Sequence, residues 1–314
     1  MTAPFTADAW PIGVGLPQLV GTLSDGRDVT TTGPQAWRPT FHEVAAAGFT
    51  EIDLFTTFIR ISDLDDDGRS GLQRLLAEYG LRISAIPLAR RSILDPDPER
   101  AAANLEFALE TVRAAGELGV GTVCVGLHQP LTAEQQRAEW FWLAPGEENP
   151  EDPAVWAAAV DGFRRIGEEA ARAQVQVSLE MYEGTYLGTS ESSVRLVTDI
   201  GLPNVGLCPD IGNIVRLHRP VEDWRVMLER MLPHANYWQL KNYLRDHDPA
   251  TGAYFSAPAP LETGYIDYRT AVGMALAAGF SGPLCVEHYG GDGLSVAATN
   301  RDYLRRILAA KIAS

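Results

Sequence analysis

The fold turns on NVGLCPD, residues 204–210. Val205 to Cys208 is apolar at every position and too short for a helix, the signature of a strand buried on both faces of a parallel sheet. The run then breaks on Pro209 and an acid, Asp210, before IGNIV at 211–215. A carboxylate at the end of a buried strand has two readings. It caps the next helix, or it stands on the rim where a parallel barrel keeps its chemistry.

Similar runs recur on both sides of this one. IGVGL (12–16), TEIDLF (50–55), RISAIPL (82–88) and GTVCVGL (121–127) precede it with VQVSLEM (175–181), and YWQLKN (237–242) and PLCVEHY (283–289) follow. Eight strands alternating with helical segments predict one (β/α)8 TIM barrel spanning residues 1–314. Helices are expected at 39–48, opening on Pro39 and Thr40 and stopping at Gly48, and at 97–119, opening on Asp97 and Pro98. Others are expected over 68–79, 154–173, 190–200, 221–231, 267–279 and 298–312. Two long connections, after strands 4 and 7, leave the carboxyl ends of their strands, where loops cover active sites. The first carries Trp140, Phe141 and Trp142. That cluster is either a small satellite core or a substrate lid or subunit contact.

The chain has 314 residues, 46% of them hydrophobic, and a net charge of −15. So acidic a protein has no basic face for nucleic acid or an anionic membrane. The start lacks a signal-peptide pattern and no apolar run is long enough for a span, so a soluble, cytoplasmic protein is expected. Cys124, Cys208 and Cys285 each lie inside an apolar run, as buried free thiols rather than zinc ligands.

The last four strands each end in one oxygen-bearing side chain: Glu180, Asp210, Gln239 and Glu287. In a closed barrel these converge, and three carboxylates held together need a counter-charge. A divalent cation supplies it, and an all-oxygen set without cysteine suits Mn²⁺, with Mg²⁺ or Co²⁺ as alternatives.

These motifs together resemble the sugar isomerase/epimerase superfamily of xylose isomerase-like barrels. The resemblance implies metal ligation by Glu180, Asp210 and Glu287. It also shows departures: Asn213 in DIGN stands in place of a substrate-binding His, and Gln239 in QLKN in place of a metal-binding His. Arg245, six residues past Gln239, matches a substrate-binding Arg of the epimerases. The large subunit of bacterial C-glycoside deglycosidases is the branch the chain resembles most. That branch implies a lyase cleaving 3-oxo-C-glycosides, assembled with a small second subunit. A free-standing ketose isomerase or 3-epimerase, usually a homo-oligomer, is the alternative.

Both reactions begin by taking a proton from carbon beside a carbonyl. The candidate catalytic groups are His128 at the end of strand 4, Glu180, Glu287 and Lys241, which shares a strand face with Gln239. Tyr182, Asn213, Arg245 and His288 are the candidate substrate contacts, although alternation would aim His288 away from the axis.

Overall fold

The computed structural model describes residues 5–312. Eight parallel strands make a nearly closed barrel: β1 (Ile12–Gly15), β2 (Glu51–Asp53), β3 (Arg82–Pro87), β4 (Thr122–Val125), β5 (Gln176–Glu180), β6 (Val205–Cys208), β7 (Trp238–Leu240) and, after a hairpin, β10 (Leu284–Glu287). Their order is β6-β5-β4-β3-β2-β1-β10-β7. Between β6 and β7 the seam narrows to a single bridge, Leu207 with Ala235.

Eight helices cover the outside: α1 (Pro34–Ala46), α2 (Asp66–Glu78), α3 (Pro98–Glu117), α4 (Pro153–Arg172), α5 (Ser190–Ile200), α6 (Trp224–Met231), α7 (Tyr268–Ala277) and α8 (Gly293–Ile312). Most begin as the capping chemistry dictates. Asp97 accepts from the N–H groups of Glu99 and Arg100, and Asp152 from that of Ala154. The start expected at Pro39 is corrected: α1 opens five residues earlier, with Pro34 in its first turn, and Pro39 lies inside it. Two prolines compete for one start there, and the earlier prevails.

The loop after β7 is a second correction. It is an antiparallel hairpin, β8 (Asn242–His247) with β9 (Tyr254–Ala259), so Asn242 belongs to the hairpin and not to the barrel strand. Inside the barrel, Ala85, Cys124, Cys208, Tyr237 and Cys285 form a compact cluster, and all three thiols are free and buried. Asp53 is buried with them, bonded to the hydroxyls of Ser84 and Tyr237. Among the described residues no helix is long and apolar enough to cross a membrane.

Candidate active site

The carboxyl ends of β4 to β7 and β10 deliver one group of side chains to the barrel mouth. Glu180 and Glu287 are the last residues of β5 and β10. Asp210 sits just past β6, its N–H turned back to the Cys208 carbonyl at 2.7 Å. Lys241 follows β7 and spans two acids, with Nζ 2.7 Å from Asp210 Oδ2 and 2.6 Å from Glu287 Oε2. Two glycines make room for this arrangement. A Cβ on Gly15 would stand 2.7 Å from Glu287 Cγ, and one on Gly212 would stand 2.3 Å from Lys241 Cγ.

Across the mouth, His128 Nε2 lies 3.4 Å from Glu180 Oε2. Asn213 donates to Glu180 Oε1 at 3.0 Å and to the Met181 carbonyl at 2.9 Å, so it fixes the carboxylate. The two acids are therefore held by unlike partners, Glu180 by an imidazole and an amide, Glu287 by an ammonium.

The electrostatics follow from burial and pairing. Burial opposes ionisation of Glu180, yet the charge and hydrogen bond of His128, with Lys241 and Asn213 behind it, hold its carboxyl down to about 2. Burial pushes Asp210 up to about 8, helped by the Glu287 and Glu180 charges and resisted by Lys241. Burial likewise raises Glu287. Lys241 is buried too, but Asp210 and Glu287 more than offset the cost and keep it charged. One ammonium faces three carboxyl groups, and the raised Asp210 and Glu287 carboxyls show how strongly full ionisation is resisted without a further cation.

The loop after β4 roofs the mouth. Trp142 is buried and meets Tyr243 at 5.7 Å and Tyr289 at 5.3 Å between ring centroids. Phe141 packs on Trp142 and Tyr289. The cluster packs over the barrel mouth and joins the hydrophobic core through Trp142, with Trp140 and Phe141 against it. Beside this roof lies a cleft of about 360 Å³ whose lining includes Arg90, Gln129, Trp142, Tyr182 and Glu183. Glu180, Asp210 and Glu287 do not line it.

Under the roof is Arg216, fully buried, its Nη2 2.8 Å from each oxygen of Glu183. Sequence reasoning passed over it, although a signal existed: Asp210, Asn213 and Arg216 recur at three-residue spacing around the helical turn Gly212–Val215. Tyr289, Tyr243 and Arg90 were passed over as well. Tyr289 follows Glu287 by two and therefore shares its face, which the strand period could have shown.

The remaining expected contacts fall in different places. Tyr182 is at the mouth, its ring edge-on to His128 at 4.3 Å and its hydroxyl accepting from Arg90 at 2.9 Å. His288 is half-buried beyond β10, its imidazole pKa lowered by burial, and alternation separates it from Glu287. Arg245 is not brought into the site. Its guanidinium donates to the carbonyls of Val215, Leu217 and Arg219, and so pins that loop. Gln239 turns its amide oxygen toward the Cys208 thiol at 3.7 Å, and its Nε2 has no partner.

This fold with this mouth can be set beside known proteins. A model of the family described as xylose isomerase-like TIM barrel matches residues 41–307. The chain belongs to the xylose isomerase-like TIM barrel family. A family member from Mycobacterium smegmatis, solved in complex with magnesium, is 39% identical with a TM-score of 0.93, over 98% of this chain and 99% of that one. A 3-keto-D-glucoside 4-epimerase from E. coli is 14% identical with a TM-score of 0.67, over 95% and 99%. A D-psicose 3-epimerase from Clostridium cellulolyticum H10 is 14% identical with a TM-score of 0.63, over 96% and 97%. These two likenesses are of fold alone. A comparison with curated proteins gives no match.

Whether a divalent cation suits this family member's mouth depends on its own atoms. Among the described residues no three or more His, Cys, Asp or Glu side chains are gathered into a ready metal site. The donors nonetheless fit one. Asp210 Oδ1 is buried with no hydrogen-bond donor, Oδ2 meets only the Lys241 ammonium, and the set is rich in hard oxygens. Lys241 occupies the gap between Asp210 and Glu287, and a cation bound there requires the ammonium to give way.

Proposed function

We propose that this chain is a divalent-metal-dependent lyase that takes the proton from carbon 2 of a 3-oxo-C-glycoside and expels the aglycone from carbon 1. The observation that supports it best is the unlike partnering of Glu180 and Glu287. An epimerase exchanges protons on two faces of its substrate, and two carboxylates free to do the same work suit it. Here Glu287 is engaged by Lys241, while Glu180 is paired with His128 on the other side. One basic side and one cationic side suit a one-way elimination.

Glu180, Asp210 and Glu287, joined by Gln239 if its amide turns from the Cys208 thiol, would hold the metal once the Lys241 ammonium moves aside, Mn²⁺ in preference to Mg²⁺ or Co²⁺; that ion would polarise the substrate carbonyl as a Lewis acid. The chain's own groups account for the rest. On the His128–Glu180 side the carboxylate takes the carbon 2 proton as the partners that hold it low withdraw, and Asn213 keeps Glu180 aimed. The electron pair of that C–H bond moves toward the carbon 3 oxygen, where Lys241 offers positive charge. On its return, the pair forms the carbon 1 to carbon 2 double bond. The bond to the aglycone then breaks, and the aglycone leaves with its electrons and takes up a proton. Tyr289, half-buried at the mouth, gives an aromatic aglycone a ring to pack on.

A small second subunit at the mouth belongs to this proposal. The test is incubation with Mn²⁺ and a 3-oxo-C-glycoside of an aromatic aglycone, with and without the products of adjoining genes, followed by chromatography. Free aglycone and a 1,2-unsaturated 3-oxo sugar are expected. Epimerisation of ketoses by the chain alone, without aglycone release, would favour the isomerase or epimerase reading and displace this one.

A further inference from the structure

Beneath the roof, several buried hydrogen-bond donors share one neighbourhood and meet no acceptor. Arg216 sends Nη2 to Glu183, but its Nε and Nη1 have no partner. Trp142 Nε1 and the Tyr243 hydroxyl have none either. These groups adjoin one another: the Arg216 guanidinium carbon is 4.9 Å from the Trp142 ring centre, and the Trp142 and Tyr243 rings are 5.7 Å apart. Phe141 and Tyr182 wall the guanidinium at 4.8 and 5.3 Å. A buried donor without an acceptor costs about 1–3 kcal/mol, so a fold that gathers several has a use for them.

Their common demand identifies the ligand. A sugar hydroxyl both donates and accepts, whereas a carboxylate only accepts and so answers donors alone. The local charge agrees. Arg216 is balanced by Glu183, but Arg90, 4.7 Å from the Phe141 ring, donates only to the Gln129 carbonyl and the Tyr182 hydroxyl and has no carboxylate partner among the described residues. Arg90 is thus a guanidinium of the roof without an ion pair, in a cleft that Glu147 and Glu148 also line. Arg90 also holds a positive φ of 54°, a conformation that a non-glycine residue keeps at a cost.

We infer that the Arg216 donors, with Trp142 and Tyr243, form a carboxylate subsite, and that the substrate is an acidic sugar derivative whose carboxylate docks under the aromatic roof. The inference rests on the proposed function only in taking the barrel mouth for a sugar site. Arg216 is here a binding and positioning residue.

Calorimetric titration of the whole chain, supplied with Mn²⁺, compares D-glucuronate with D-glucose, which differ only in carboxylate against hydroxymethyl at carbon 6. Glucuronate is expected to bind at least about tenfold more tightly. The double variant Arg216→Gln, Glu183→Gln, which keeps the pair neutral, is expected to bind both sugars alike, with its circular dichroism and melting curve confirming that it folds. Arg216→Lys is expected to retain part of the preference. Equal binding by the wild-type chain, no binding of either sugar, or a preference that survives the double variant would overturn the subsite. No turnover is read, so this failure leaves the elimination chemistry untouched, and loss of aglycone release in the lyase assay leaves the subsite standing.

Discussion

At the scale of single residues, Lys241 acts as a built-in counter-charge for Asp210 and Glu287. Its removal strands two buried acids, a defect that costs about 3–5 kcal/mol. Lys241→Met is therefore expected to lower the melting temperature sharply without divalent metal and to regain most of the loss when Mn²⁺ is added; a loss that metal does not relieve would count against a cation site there. Asn213→Ala removes the hydrogen bond that aims Glu180 and leaves the Met181 carbonyl without its donor. A stability loss of about 1–3 kcal/mol by urea titration, with a larger fall in kcat than in KM, is expected. These acids, with Lys241 and His128, were legible because strand ends in a parallel barrel converge whatever their side chains. Arg216 and Arg245 were not. A long guanidinium's destination depends on what it meets several ångströms away, and Arg245 meets backbone carbonyls where Arg216 meets Glu183.

Among elements, the turn from β6 into Gly212–Val215 is the tightest part of the site. Gly212→Ala places a methyl 2.3 Å from Lys241 Cγ, and overpacking of this kind costs about 1–3 kcal/mol. It is expected to destabilise the chain and to weaken Mn²⁺ binding measured by calorimetry, while Gly252→Ala in the hairpin tip, strained only by its φ of 73°, leaves Mn²⁺ binding unchanged. The barrel interior supplies a pH dependence. Burial raises the Asp53 carboxyl from 3.8 to about 7 against the pull of Ser84 and Tyr237. Between those values the folded chain keeps a proton that the unfolded chain has lost, so the Asp53 contribution makes stability fall as pH rises from about 4 to about 7 and then level off. Asp53→Asn is expected to flatten that slope in melting curves across the window; an unchanged slope would mean Asp53 ionises as it does in water. Strands and capped helices could be read from the sequence because their signals are local, an apolar run or an Asp before a Pro. The hairpin could not. Its residues are buried, half-buried and exposed in equal parts with no steady apolar alternation, and Pro258 is a residue that strands seldom carry.

For the whole molecule, eight βα units set the chemistry at one end and the aromatic loop after β4 closes over it. Asp210, the acid that ends a buried strand, is at once the partner of Lys241 and the most buried carboxylate of the mouth. The barrel and its two long loops were legible in the order of strands and helices, and the family resemblance in the residues that end the last four strands; the roofed state of the mouth depends on side chains from the loop after β4, from β8 and from beyond β10 meeting in space. The claim that organises all of this is proton abstraction at carbon 2 by the Glu180 side of the mouth. Incubating the chain and Mn²⁺ with a 3-oxo-C-glycoside in D₂O, and following the carbon 2 proton by NMR, tests it most directly. Loss of that proton signal to solvent exchange, with or without aglycone release, and its persistence in Glu180→Gln are expected; a carbon 2 proton retained while another stereocentre inverts would contradict the claim.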